Sequence, residues 1–541
     1  MADQKTLPEG LGETRAASRL GAGTICAFYG ALLALALVPV FSFDLLPLGD
    51  MPNHLARAFI LNNIASDPDL QRYYAIEWHL FSFQSTDFIL PLLTKAFGLE
   101  QGAPLFITAT FALLIGGTAV LHRAFFGRVG VGPASATIFL YSFPFALGQI
   151  SFLFTTGLSL LVFAAWVASI RKRGIVKVAL FSAASLALLL CHFFAFAAYA
   201  LLLGTFAVAR AWREPDRRQR WLDLVEAGIP FVLPAIVFVL SFHTSVHGRT
   251  FYGDILAKSL AMLSPTITYG SWPDIVITLA VIGTLWLLKR RGVFSFAAGM
   301  GFPVLVLILA AIAMPRMMQG VLGADLRIPC LLAFLLVAAI EIALHTRRQV
   351  LVFCAGVTVL LLFRVLTISE QWRDFDADYR AFRAADTEIE RGSRVIVIPF
   401  DRGQEVDHPR LPYWYVASLA VIDRSVFLPH LYTIATPLRF TGGRAPGLSG
   451  PALSSRRTDW QPTTTEFAAS DAETIRLVGD TTLRMAPWDL VTNPIDWSDW
   501  PEQYDYLIDL DFAWKKNPVP ALLTEIRRGS FFTIYRIHPP Q

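Results

Sequence analysis

Charge is scarce in this chain: Asp, Glu, Lys and Arg make up only 16% of its 541 residues, where soluble domains carry roughly 25%. The scarcity is regional. Apolar runs of about 20 residues, long enough to cross a bilayer, recur up to Leu366, and beyond it the composition is that of a soluble domain. Cysteine is scarce as well. Cys26, Cys191, Cys330 and Cys354 all fall inside apolar runs without metal-ligand spacing, so each reads as a small buried hydrophobe. Residues 369–541 contain no cysteine, which excludes a disulfide-stapled domain there. No G-x-G-x-x-G, P-loop or G-x-S-x-G is present, so nucleotide binding and serine hydrolysis have no motif behind them. The net charge of +4, with no basic patch interleaved with aromatics, argues against nucleic acid.

What is present is a series of membrane-spanning stretches. After a polar N-terminal tail, residues 1–20, the run Gly21–Phe43 is too long for a signal-peptide core and lacks a small-residue cleavage site, so it reads as a retained first helix. Further spans are expected at about 101–122, 131–148, 151–170, 175–191, 192–210, 226–243, 273–289, 293–314, 321–344 and 349–367, about eleven in all. The segment Phe83–Phe97 contains Asp87, Pro91 and Lys95, and reads as interfacial or re-entrant.

The basic residues orient these spans. One set of loops carries 19 Lys and Arg, and the alternating set carries six: Arg57, Arg72, Lys95, Arg249, Lys258 and Arg316. Basic loops stay in the cytoplasm, so the N-terminus is expected inside and residues 369–541 outside, as a multi-pass inner-membrane protein with a periplasmic domain. The membrane unit is then 21–368, with a large outer loop at 44–100 and a second at about Thr244–Trp272. Function carried on loops is expected on the outer face. The C-terminal domain reads as α/β, with strands at Arg394–Phe400, Val426–Leu428, Tyr504–Leu510 and Phe531–Ile537, a helix or strand lead-in at Pro412–Ile422, and a helix at Ala521–Arg528. Gly442–Thr465, rich in Gly, Pro, Ser and Thr, reads as a loop over the membrane unit.

The first outer loop opens LPLGDMPNHLARAFIL. If a helix starts near Met51, Asp50, His54 and Arg57 lie four and three residues apart and share a face. Asp50 could then take a proton from an attacking hydroxyl, and Arg57 could pair with phosphate. The alternative for Asp50 is a helix N-cap before Pro52. Ionisable residues at a membrane edge are functional candidates by default, which adds Glu77, His79, Asp87, His192, His243, His247, Arg249, Arg316, Asp325 and Arg327. Arg327 equally suits an arginine snorkelling to the interface, and His192 suits a structural hairpin tip. Glu77 and Asp87 suit loop solvation or a second carboxylate. His243 and His247 have metal-compatible spacing but no acidic partner nearby, so no metal site is assigned.

This layout resembles the GT-C superfamily of integral-membrane glycosyltransferases. The likeness covers the architecture of the whole chain, with its sequence part confined to GDMPNHLAR and ADLRIP. It implies Asp50 as catalytic carboxylate and Arg57, Arg249 and Arg327 as donor-phosphate candidates; from their places on the helix face and at the membrane edge, His54 is taken as catalytic beside Asp50, and Glu77 and Arg316 as substrate-binding with the arginines. It also implies a polyprenyl-phosphate-linked sugar as donor and an envelope glycan, lipid or protein as acceptor. Many members carry two adjacent acids, whereas Asp50 stands between Gly49 and Met51; no cofactor is assigned, and a divalent cation stays open. A secondary transporter or flippase and a non-enzymatic envelope assembly protein are the alternatives. No internal repeat of the transporter kind is present.

Overall fold

The computed structural model describes residues 21–78, 84–241, 250–318, 321–398, 408–431, 437–441, 473–478, 481–485, 500–510, 517 and 519–538. Among them, seven helices are long and apolar enough to cross a membrane: Ala22–Ser42, Leu99–Phe126, Ile150–Ala168, Phe193–Ala211, Arg217–Ser241, Trp272–Arg290 and Arg347–Asp386. Two shorter apolar helices, Ile175–Cys191 and Gly301–Ala313, stand where further spans are expected.

Two expected spans take another form. Residues 131–148 fold as a 3-10 segment, Gly132–Phe139, and one short helix, Phe143–Ala146. Pro133 and Pro144 each sit near the start of their segment, where the missing N–H is tolerated, but neither could continue a preceding helix. The segment is almost wholly buried, and irregular backbone at membrane depth is tolerated only where protein covers it. Likewise 321–344 holds Arg327–Ala339, a 13-residue helix of about 20 Å, too short for the roughly 30 Å hydrocarbon core. It ends where Ile340–Ile342 pairs antiparallel with Phe294–Phe296.

The centre of the bundle is the crossing of Leu99–Phe126 with Ile150–Ala168. A Cβ added to Gly117 would stand 2.8 Å from the carbonyl oxygen of Gly157, and one on Gly157 would stand 2.7 Å from Leu113 Cβ. Small residues let membrane helices approach where no hydrophobic force drives them together, so this pair sets the helix spacing. Ser85–Phe97 is amphipathic as expected at an interface: Asp87, Leu90, Pro91 and Thr94 face inward while Leu92 and Phe97 are exposed.

The 40-residue helix Arg347–Asp386 runs about 60 Å, far more than a crossing needs. Its distal part packs on a four-stranded sheet through Phe382 and Phe532, ring centroids 5.1 Å apart. In that sheet Val395–Ile398 lies parallel to Tyr506–Leu510, which pairs antiparallel with Phe532–Ile537. The helix expected at Ala521–Arg528 is instead the strand Leu523–Arg528, joined antiparallel to Phe532–Ile537. A turn through Gly529, whose N–H bonds to the Phe532 carbonyl, makes the two a hairpin, and that pairing overrides local helix propensity. Pro412–Ile422 holds 3-10 turns and the start of the helix Leu419–Arg424. Phe427 forms only an isolated parallel bridge to Arg394. The Gly442–Thr465 loop lies outside the described residues.

The C-terminal region grips the segment 44–100. Tyr74–Ile76 pairs antiparallel with Leu438–Phe440. The Tyr74 hydroxyl donates to the Val426 carbonyl (3.0 Å) and accepts from the Leu428 N–H (3.0 Å). Asp67 takes Arg391 at 2.5 Å and the Ser425 hydroxyl at 2.7 Å.

Candidate functional site

The helix Met51–Asn63 forms where the spacing places it, with Pro52 in its first turn and Asp50 just before it. Asp50 does not cap it. Its backbone is helical (φ −86°, ψ −3°) and its carboxylate takes no N–H of the first turn, leaving the side chain available for other chemistry. Burial pushes the Asp50 carboxyl up to about 7, against the opposing pull of the Arg57 and Arg327 guanidinium groups.

Asp50 is fixed by its backbone. The Gly49 N–H donates to the Ala146 carbonyl (2.8 Å) and the Asp50 N–H to the Leu147 carbonyl (2.9 Å). Gly148, in the left-handed region at φ +84°, completes this turn. A Cβ there would meet the Asp50 amide nitrogen at 2.6 Å and its Cβ at 2.9 Å, so only glycine fits. The irregular 131–148 stretch thus presents a tight turn to the carboxylate, which a straight crossing helix would not.

His54, four residues on, is buried, and its Nε2 lies 3.2 Å from the Gly148 carbonyl. That contact assigns the proton to Nε2, and Nδ1 is buried with no hydrogen-bond partner among the described residues. Burial and the neighbouring Arg57 charge lower the imidazole to about 3. His54 is therefore neutral at physiological pH and holds the helix to the Gly148 turn.

Arg57 is buried against Asp87, with Nε at 3.1 Å and Nη2 at 2.5 Å from the same oxygen, Oδ1. The second oxygen, Oδ2, is buried with no partner among the described residues. Burial raises the Asp87 carboxyl and Arg57 lowers it. Breaking such a buried pair from one side costs about 3–5 kcal/mol. Asp87 is thus the partner of Arg57, not a solvated loop acid. The helix carrying Asp87 is tied in at its start: Ser85 donates its N–H to Ser151 Oγ (2.9 Å), and Ser151 Oγ donates to the Cys191 carbonyl (3.2 Å).

Arg327 opens the Arg327–Ala339 helix, is buried, and has its guanidinium carbon 4.3 Å from the centroid of the Phe194 ring. It is not a snorkelling surface arginine; its charge acts on Asp50. His192 caps the following helix, with Nδ1 3.4 Å from the Ala195 N–H, the structural role expected at a hairpin tip.

The other candidates divide. Arg316 is half-buried and, with Lys258, faces the buried Asp325, whose carboxylate lies 3.5 Å from Lys258 Nζ. Glu77 is exposed, and its N–H bonds to the Pro437 carbonyl (2.7 Å), so the C-terminal region holds its backbone. His79, His243, His247 and Arg249 lie outside the described residues. No group of three or more His, Cys, Asp or Glu among the described residues could hold a metal ion.

A further set of buried residues anchors the chain just before Asp50. Arg364, buried in the last long helix, reaches Asp274, the Thr268 hydroxyl (2.9 Å) and the Thr266 carbonyl (2.5 Å). The Trp372 indole donates to the Tyr269 hydroxyl (2.9 Å), which donates to the Pro47 carbonyl (2.8 Å), three residues before Asp50. An arginine inside a 20-residue apolar run was the available signal.

No family model matches this chain, and no curated protein matches it. Among solved structures, it is similar to the crystal structure of ArnT from Cupriavidus metallidurans in the apo state, with 12% identity and a TM-score of 0.49 over 95% of this chain and 98% of that one. It is equally similar to the same protein bound to undecaprenyl phosphate, with 12% identity and a TM-score of 0.49 over 96% of this chain and 98% of that one.

Proposed function

We propose that this chain is a glycosyltransferase that moves a sugar from a polyprenyl-phosphate donor to an acceptor hydroxyl at the outer membrane–water boundary. One observation carries the reading: the half-buried Asp50 carboxylate, at the start of a helix it does not cap, lies under the influence of two buried guanidinium groups, Arg57 and Arg327. A half-buried carboxyl poised near 7 suits a general base, because a large share is ionised near neutral pH and that form is basic enough to accept a hydroxyl proton. Asp50 takes that proton as the acceptor oxygen attacks the anomeric carbon. Arg327 stabilises the negative charge growing on the departing phosphate. Arg57, locked on Asp87, supplies a fixed positive field beside the base, and His54 positions the helix. Direct displacement inverts the anomeric centre.

The finer topology belongs to this proposal. The chain crosses the membrane about eleven times, counting the two broken stretches. The N-terminal tail is cytoplasmic and residues 369–541 are periplasmic. Glu77, Arg249 and Arg316 are proposed as further substrate contacts.

The test is transfer of radiolabelled sugar from polyprenyl-phosphate donors in membranes containing the wild-type chain or Asp50→Asn. Loss of transfer by about 100-fold or more, with Asp50→Asn still folded, is expected. Undiminished transfer would falsify the assignment. Restoration of the envelope phenotype of a deletion strain by Asp50→Asn would favour an assembly role instead.

A further inference from the structure

Away from the Asp50 site, the loops richest in positive charge meet at a second constructed feature. Segments 171–177 and 210–226 hold nine basic residues and four acidic ones. Two of the basic residues, from different helix ends, share one acid: Arg173 Nη2 donates to Asp223 Oδ1, and Arg210 Nε donates to Asp223 Oδ2 at 3.2 Å. Gln219 Nε2 adds a third bond to Oδ1 at 2.9 Å. The Asp223 side chain is only 10% exposed, while those of Arg173 and Arg210 are 39% and 37% exposed.

The carboxylate cancels one of the two charges and fixes both guanidinium planes. Each guanidinium carries five N–H donors, and Asp223 takes one from each. Beneath this cluster the seam between the two helices is closed by Lys177 Nζ, 3.3 Å from Glu226 Oε1 and 4.2 Å from the Trp166 ring centroid. Lateral to it the surface turns apolar at once. Ile175 is 82% exposed, Trp221 60%, and Val176, Leu222 and Val225 are exposed beside them.

We propose that this cluster binds an anionic phospholipid, its phosphodiester on Arg173 and Arg210 and its acyl chains over Ile175, Val176, Leu222 and Val225. Basic residues that serve only to orient a membrane protein need charge alone. A half-buried carboxylate that lowers the local charge while aligning two arginines is not explained by that requirement, whereas planar, paired recognition of phosphate is. The apolar strip fixes the source of the phosphate as a lipid, since a free anion has no use for it. The site is independent of the outer-face reaction.

The purified full-length chain in neutral detergent is titrated with phosphatidylglycerol, phosphatidylcholine or inorganic phosphate, and bound lipid is counted by native mass spectrometry. Phosphatidylglycerol should be retained at least about fivefold better than phosphatidylcholine, the worth of the one uncancelled positive charge. The R173Q/R210Q/D223N variant, which strands no carboxylate, should lose that preference. Arg173→Lys keeps the charge and the ion pair but loses the fork, and should weaken retention several-fold. Equal retention of both lipids would overturn the proposal, as would a preference unchanged in both variants, or saturation by inorganic phosphate alone.

Discussion

The two ends of the helical bundle handle positive charge in opposite ways. The loops around Asp50 belong to the set with few basic residues, yet Arg57 and Arg327 are buried there, one locked on a carboxylate and the other over an aromatic ring. The opposite loops hold many basic residues and leave most in water, including Arg171, Lys172, Arg213, Arg217 and Arg218. Burying a charge is expensive unless it is paired and bonded, so the sparse end has invested stability in a few fixed positions. Among the described residues, the crowded end has done so only at Lys177 and around Asp223. The number of charges marks orientation; their burial marks where geometry matters.

The largest effect that would break this comparison is at Arg57. Arg57→Met strands Asp87 and should destabilise the protein by about 3–5 kcal/mol, read as a large fall in thermal midpoint in detergent. Replacing both partners, R57M/D87L, should recover most of the stability and none of the sugar transfer. Recovery of transfer would show that the pair is only structural. Next comes Gly148→Ala, where a left-handed backbone costs about 1–2 kcal/mol before the clash with Asp50 is counted. It should depress transfer more than unfolding temperature alone explains.

A pH experiment sharpens the same contrast. The Asp50 carboxyl is raised by burial to about 7, so the folded state favours its protonated form. That contribution is fully present below the unfolded value near 3.8 and is lost as pH rises through about 7. Asp50→Asn should therefore raise the thermal midpoint at pH 8 relative to wild type and leave it nearly unchanged at pH 4. Wild-type transfer should rise through pH 7 as the base ionises. A midpoint difference independent of pH would remove the buried-base account. The smallest effect is expected at the crowded end, where Arg217→Gln or Arg218→Gln should change stability by no more than about 0.5 kcal/mol.

Legibility differed from residue to residue. The start of the Met51–Asn63 helix was readable because Pro52 and the apolar spacing after it are local signals, and Asp50, His54 and Arg57 were found on that basis. The role of Asp87 is not legible locally, because whether an acid in an amphipathic segment faces water or an arginine 30 residues away is not a local property. Gly148 and the links from Arg364 through Tyr269 to Pro47 leave no local signal beyond one arginine in an apolar run, since their partners are up to 222 residues apart. The strand at Leu523–Arg528 was misread as a helix for the same reason: its state is set by the neighbour it pairs with.

Hydropathy marked the apolar stretches, including 131–148 and 321–344, which fold as broken or short segments, and the alternation of Lys and Arg provides the orientation argument, because both depend on transfer of individual side chains between water and hydrocarbon. Hydropathy could not rank the helices. Ile150–Ala168 and Arg217–Ser241 are both apolar enough to cross, yet 72% of the first's most apolar stretch is buried in protein and 17% of the second's. Lipid and protein interior are equally apolar solvents for a leucine, so only packing decides which helices form the centre. Packing alone also decides which few charges meet behind Asp50.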